Sequence, residues 1–379
     1  MKLIHLSDLH IGKRVNEFSM LEDQKYILAQ ILGIVKDEQP DGVILAGDIY
    51  DKTVPPAEAV QVFDHFLTEL SRLGTAVFLI SGNHDSAERL AFGSSLMRES
   101  RVFCAPVYDG NITSVCLEDS WGEVWIHLLP FLRPAAVRHV YENEPADTCE
   151  EAVATALSHL NPDPKKRNVL AAHQFVTGAA LSESEELAVG GLDQISAELF
   201  DPFDYVALGH IHSPQQVGRE TIRYCGTPLK YSFSEAGQQK SVTVVILREK
   251  GNIQIRTVPL KPLHDMRKLR GTYLEVTAKS FYEQFNREDY VQITLTDEED
   301  VPDGMQKLRV VYPNLMRLEY DNKRTREGRL IEAVEKLEEK SGLELFEEFY
   351  ELQNNSPMSE RQRSFAGKLM EEIDREREV

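Results

Sequence analysis

Lys2-Leu-Ile-His-Leu-Ser-Asp-Leu-His10 is an apolar strand that runs directly into Asp8 and His10, two side chains of the kind that bind metal ions. The same arrangement returns four times. Gly47-Asp48 follows Gly42-Val-Ile-Leu-Ala46, and Gly82-Asn83-His84-Asp85 follows Ala76-Val-Phe-Leu-Ile-Ser81. His173 follows Val169-Leu-Ala-Ala172, and Gly209-His210-Ile-His212 follows Tyr205-Val-Ala-Leu208. Buried strands fix the backbone, and the loops at their carboxyl ends converge on one crevice, where α/β sheets place ligands. A single Asp or His after a strand is most often a satisfied core residue or a helix cap. Five such groups, all at the same kind of position, point to one site.

The segments between these strands fit an α/β layered core. Residues 20 to 38 read as a helix with Leu21, Leu28, Ile31, Leu32 and Val35 on one face, closed by Pro40. Pro55-Pro56 opens a second helix with Val60, Phe63, Leu67 and Leu70 inward, ended by Gly74. Arg89 to Glu99 and Cys149 to Leu160 read as helices, and Glu123 to Leu129 as a strand. Thr177 to Gly191, rich in Ser, Glu and Gly, reads as a mobile loop over the site. The segments at 221 to 225, 241 to 247 and 252 to 258 read as antiparallel strands completing a second sheet.

Composition shifts at Leu260-Lys-Pro-Leu263. Beyond it, Tyr273 to Ala278, Tyr290 to Thr296 and Leu315 to Tyr320 read as strands of a small α+β domain, with short helices near Phe281 and Met305. Arg329 to Glu339, Leu343 to Gln353 and Ser359 to Glu378 read as charged helices. The expected division is therefore 1–260, 265–322 and 323–379.

The formal net charge of −20 over 379 residues argues against a chain that coats nucleic acid through a broad basic surface. Lys13-Arg14 is the one basic cluster placed beside the site, just past His10, where a phosphate backbone would pass. Cys104, Cys116, Cys149 and Cys225 show no regular spacing, and no run of about 18 apolar residues occurs. The expectation is a cytoplasmic protein with free thiols and no membrane segment.

Carboxylates, imidazoles and one amide oxygen suit Mn²⁺, Fe²⁺ or Zn²⁺ better than Mg²⁺, and the lack of thiolates argues against a structural zinc site. Seven candidate ligands exceed the needs of one catalytic ion. Two ions about 3.5–4 Å apart, bridged by one carboxylate, would use them all. Hydrolysis of a phosphate ester is the reaction this implies. A phosphatase or phosphodiesterase acting on a cyclic nucleotide, small phosphoester or phosphoprotein would use the same centre. A non-enzymatic scaffold would use it to hold the fold.

Asp8-x-His10, Gly47-Asp48, Gly82-Asn-His-Asp85, His173 and Gly209-His-x-His212 together resemble the five-part motif set of the calcineurin-like metallophosphoesterases. Met1-Lys-Leu-Ile-His-Leu-Ser-Asp-Leu-His-Ile-Gly12, Gly47-Asp-Ile-Tyr-Asp51 and Gly226-Thr-Pro-Leu-Lys-Tyr-Ser-Phe-Ser-Glu235 resemble, more narrowly, the SbcD family of bacterial exonuclease subunits, relatives of the meiotic recombination nuclease. The likeness is close over residues 1 to 260 and general beyond. It implies a two-sheet α/β/β/α sandwich in which Asp8, His10 and His212 bind one metal, Asn83, His173 and His210 the other, and Asp48 bridges them. It implies that His84 acts on the phosphate, with Asp85 orienting it or capping a helix. Implied too are Mn²⁺-dependent exonuclease cleavage of duplex DNA ends and endonuclease cleavage of hairpins or single strands, in DNA repair, recombination and replication. The implied assembly is a homodimer through helices near 55 to 100, joined to an SbcC-type ATPase of the structural-maintenance class as a heterotetramer. Residues 265–322 would cap DNA, and the terminal helices would grip the ATPase.

Overall fold

The computed structural model describes residues 1–185 and 193–325, with 346, 347, 350, 358, 359, 362–367 and 369. The chain divides into two compact units, 1–267 and 268–379. In the first unit, four strands are buried at every residue: Gly42–Ala46, Ala76–Ile80, Arg167–His173 and Tyr205–Gly209. Unbroken apolar runs of this kind belong to parallel strands covered on both faces. Numbered in chain order, the sheet strands are β1 (Lys2–Leu6), β2 (Gly42–Ala46), β3 (Ala76–Ile80), β4 (Val102–Cys104), β5 (Thr113–Asp119) and β6 (Gly122–Leu129). They continue as β7 (Arg167–His173), β8 (Tyr205–Gly209), β9 (Gln215–Val217), β10 (Arg219–Tyr224), β11 (Ser241–Leu247) and β12 (Ile253–Pro259). They form two six-stranded sheets, in the orders β12-β11-β1-β2-β3-β4 and β9-β10-β8-β7-β6-β5.

The period of two along each strand explains how both faces are filled. Val169 and Ala171 of β7, with Tyr205 and Ala207 of β8, join Ile44, Ala46, Phe78 and Ile80 of the other sheet in one core between the sheets. Leu170, Ala172, Val206 and Leu208 point the opposite way, into a second core with Val153 and Ala156 of the helix Cys149–Ser158. On the first sheet's side, α1 (Leu21–Glu38) packs on α2 (Ala57–Arg72), and α2 lies against β3. The result is the two-sheet sandwich of mixed α/β class expected from the motifs.

Several local expectations are corrected. Strands β11 and β12 do not extend the second sheet: β11 pairs antiparallel with β1, and β12 with β11. Periodicity reports burial and says nothing of which sheet edge a strand occupies. Strand β10 does join the second sheet, parallel to β8. Arg89 to Glu99 is not one helix but two single turns, Ala87–Leu90 and Ser94–Met97, separated at Gly93 with φ 75°, followed by a 3₁₀ turn. The buried face of α2 is Ala59, Phe63, Phe66 and Leu70, while Val60 is 43% exposed.

The second unit has a three-stranded sheet of Met266–Gly271, Tyr290–Leu295 and Leu315–Tyr320, with the middle strand central and parallel to the last. Residues 273–277 are helical, not extended. Thr272 and Glu275 form a reciprocal capping box in which each side chain accepts from the other's backbone N–H. The first strand therefore lies one segment earlier than expected. Val276, Ile293, Leu308 and Tyr312 fill the core of this unit. The expected helices Arg329 to Glu339 and Leu343 to Gln353 lie almost wholly outside the described residues; of Ser359 to Glu378, 362–367 are described and helical.

At Gly209 the two sheets approach so closely that an added Cβ would stand 1.9 Å from the Ala46 carbonyl oxygen. Only a residue without a side chain allows that approach. Gly209→Ala is expected to cost about 3 kcal/mol by overpacking against backbone, lowering Tm by roughly 6–12 °C. A calorimetric melt checks this, and an unchanged Tm contradicts the close sheet contact.

Candidate metal centre

All nine residues singled out in the sequence come to the carboxyl ends of β1, β2, β3, β7 and β8. Asp8, His10 and Asp48 have φ of 52°, 45° and 49°, and His210 has φ 104°. Such backbone is rare outside glycine and clusters at functional sites. Here the surroundings impose it. The ladder between β1 and β2 continues into the loops: Asp8 N–H donates to Gly47 O at 3.0 Å, His10 N–H to Asp48 O at 3.0 Å, and Ile11 N–H to Ile49 O at 2.9 Å.

Two donor clusters result. In the first, Asp8, His10 and His212 each bring a ligand-type atom within 4.8 Å of the others. The Nε2 atoms of His10 and His212 face one another at 3.1 Å. That is about the chord between two nitrogens each about 2.1 Å from a shared ion. In the second cluster, the Asn83 amide oxygen lies 3.0 Å from His173 Nε2 and 2.9 Å from His210 Nδ1. Asp48 stands between the two, its Oδ2 3.7 Å from His10 Nε2 and 3.3 Å from His173 Nε2. Its Oδ1 accepts the His84 backbone N–H at 2.9 Å.

Residues 1–214 match the calcineurin-like phosphoesterase family, more than half of the 379 residues. The chain belongs to the calcineurin-like phosphoesterases. Residues 262–354 match the SbcD C-terminal domain, described as the type 5 capsule protein repressor C-terminal domain. The two matches together are those of an SbcD-type nuclease of the metallophosphoesterase superfamily. Among solved structures, a dimetal phosphatase from Danio rerio is similar at 12% identity and TM-score 0.44, covering 69% of this chain and 98% of its own.

The donor set fits the divalent metal ions of this family of hydrolases. Burial pushes the imidazoles of His10 and His212 well below their usual range and that of His210 to about 3, so all three offer lone pairs rather than protons. The buried Nδ1 of His10 has no hydrogen-bond partner. Burial raises the Asp8 carboxyl to about 7, with the Asp48 charge adding to it. Burial opposes charge on His173 as well, yet the adjacent Asp48 outweighs it and raises the imidazole to about 9. Without a cation, the site must hold protons that a divalent ion would replace.

Surrounding groups brace this phosphoesterase centre. Asp85 accepts from the backbone N–H groups of Ile49 at 3.1 Å, Tyr50 at 2.9 Å and Gly82 at 3.0 Å, so its carboxylate ties together the loops that carry Asp48 and His84. Lys13 is committed to Asp51 at 2.7 Å and lies over the Tyr231 ring, while Arg14 donates to the Glu17 carbonyl. His5 bridges the sheets through Tyr205 Oη at 2.9 Å and Leu208 O at 3.1 Å. Sequence reasoning missed Gln24, Ser184, Tyr231, Glu235 and Lys240. Tyr231 and Gln24 hold the backbone at Leu9 and His10, with Tyr231 Oη donating to Leu9 O at 2.6 Å and Gln24 Nε2 to His10 O at 2.7 Å. For Tyr231 and Glu235 the signal was the stretch Gly226–Glu235, which carries the family likeness without an assigned role.

A pH dependence follows for the metal-free protein. The folded-state values of Asp8 and His173 lie above the usual 3.9 and 6.5, so the stability each contributes is present at low pH and lost as pH rises through about 7 and about 9. After chelation, Tm is expected to fall between pH 6 and 9.5, with Asp48→Asn flattening the part due to His173. A Tm that rises with pH after chelation contradicts these assignments.

Proposed function

We propose that this phosphoesterase is the DNA nuclease subunit of a complex with an SbcC-type ATPase. It would cut duplex ends exonucleolytically and hairpins or single strands endonucleolytically, in DNA repair and recombination. The observation that carries the reading is the pairing, on one chain, of a two-cluster donor set at residues 8–212 with the SbcD C-terminal match at 262–354. In this reading Asp8, His10 and His212 hold one ion, Asn83, His173 and His210 the other, and Asp48 both, with Mn²⁺ the favoured metal.

When bound, the two ions supply positive charge to the phosphate oxygens and a nucleophilic water at neutral pH. The chain's own contribution is position. His84 Nδ1–H donates to the Asp51 carbonyl at 3.1 Å, which leaves Nε2 as the working nitrogen of a half-buried ring. The ring lies edge-on to His10, with centroids 4.9 Å apart, and its ligand-type nitrogen comes within 4.8 Å of those of His10 and Asp48; in this reading it serves the substrate rather than an ion. From there His84 would stabilise the transition state or protonate the leaving oxygen, a role typically worth about 10²–10⁴-fold in rate.

The net charge of −20 supports assigning much of the DNA grip to the ATPase and to a capping domain at 265–322. A homodimer would form through α2 and the turns that follow it. A groove of about 790 Å³ there is lined by Phe63, Leu67, Leu90 and Met97, with Phe92 86% exposed at its rim. Among the described residues no helix is long and apolar enough to cross a membrane.

Mn²⁺-dependent degradation of an end-labelled duplex tests the activity. His84→Ala is expected to keep both ions and lose at least about 100-fold in rate, and Asp48→Ala to lose metal as well. Full-rate cleavage by His84→Ala removes the catalytic assignment, and turnover of a cyclic nucleotide with none of DNA moves the substrate to a small ester. Deleting 322–379 is expected to abolish co-purification with the ATPase while leaving cleavage of simple DNA intact; unchanged co-purification removes that partner assignment.

A further inference from the structure

The stretch 226–240 has no role in the chemistry above, yet it surrounds His212. The His212 carbonyl accepts the Thr227 N–H at 3.1 Å and Lys240 Nζ at 2.8 Å. Lys240 also donates to Gln238 Oε1 at 2.9 Å and forms an ion pair with Glu235 Oε2 at 2.6 Å. Glu235 is 0% exposed and Lys240 4%, a charge pair wholly inside the protein. The other Glu235 oxygen, Oε1, lies 2.6 Å from Ser184 Oγ, and Ser184 Oγ lies 2.6 Å from His212 Nδ1. Glu185 Oε1 accepts the His212 backbone N–H at 2.7 Å.

Proton counting fixes the direction of this chain. An ionised carboxylate only accepts, and a serine hydroxyl has one proton to give. Ser184 Oγ also lies 2.7 Å from Ser182 Oγ, and its one proton goes to Glu235 or to Ser182, so toward His212 its oxygen must accept. Nδ1 of His212 then carries the hydrogen, and Nε2, the atom that faces His10, is left with a free lone pair.

The geometry points to Glu235 as a positioning residue that, through Ser184, fixes the tautomer and orientation of His212 for the ion held by Asp8, His10 and His212. This rests on the two-ion reading above. Carboxylate partners of metal-binding histidines orient the ring and raise its basicity, and their loss typically weakens metal binding about 10- to 100-fold. The effect falls on one ion, because among the described residues the side-chain hydrogen bonds of Asn83, His173 and His210 run to one another and to Ala46 O and not to Glu235, Ser184 or Lys240.

The test is calorimetric titration of the chelated full-length protein with Mn²⁺, with bound metal counted after dialysis. Wild type is expected to bind two ions. Glu235→Gln is expected to weaken one of the two binding steps about 10- to 100-fold and leave the other unchanged. Because Glu235→Gln leaves Lys240 buried without its partner, Ser184→Ala provides the same test from a surface loop, and Ser184→Thr, which keeps the hydroxyl, is expected to restore binding. Two wild-type binding steps in both Glu235→Gln and Ser184→Ala overturn the positioning role while leaving the two-ion centre standing. Equal loss of both steps in Ser184→Ala also overturns it, and a wild type that binds no Mn²⁺ overturns the centre itself.

Discussion

The constraint on which this structure depends is the burial of two carboxylates, Asp8 at 0% and Asp48 at 2% exposure, among imidazoles where water does not reach. Isolated charges in such a place are costly, and the chain meets that cost with partners of opposite or convertible charge. His173 takes a proton because Asp48 is beside it, and Asp8 holds its own proton to an unusually high pH. A pair of divalent cations answers the same demand with no protons at all. The electrostatics of the protein alone thus favour a divalent cation at this place.

Backbone geometry carries the rest. Asp8, His10 and Asp48 occupy left-handed backbone because the strand ladder continues past β1 and β2 and holds their peptide groups in register. At the facing sheet, Gly209 lets β8 approach the Ala46 carbonyl, which also accepts from His173 Nδ1 at 2.8 Å. One carbonyl at the end of β2 thereby sets both the sheet spacing and the tautomer of a candidate ligand. A comparable constraint acts at His212, where Nδ1 meets the Ser184 hydroxyl, itself held by Glu235.

The sequence was most legible where strands are buried on both faces. Uninterrupted runs such as Gly42–Ala46 and Tyr205–Gly209 admit one reading, and a residue that enters the site, Asp48 or His210, follows each within two positions. Legibility failed where the outcome depends on a distant partner. Nothing in Ser241–Leu247 says that its neighbour is β1, more than two hundred residues earlier, rather than β10. The helix at Tyr273–Thr277 was hidden because its β-favouring residues, Tyr273, Val276 and Thr277, outvoted a capping box that only Thr272 and Glu275 reveal. Glu235 was quoted as part of a family-like stretch, yet a lone acidic residue has no periodicity and no neighbour in sequence that announces His212.

The most direct test of the two-cluster account is a crystal structure of the Mn²⁺-soaked protein, read by anomalous scattering at the manganese edge. The account predicts two peaks on either side of Asp48, one against Asp8, His10 and His212, the other against Asn83, His173 and His210. A single peak, or manganese bound away from Asp48, would contradict it.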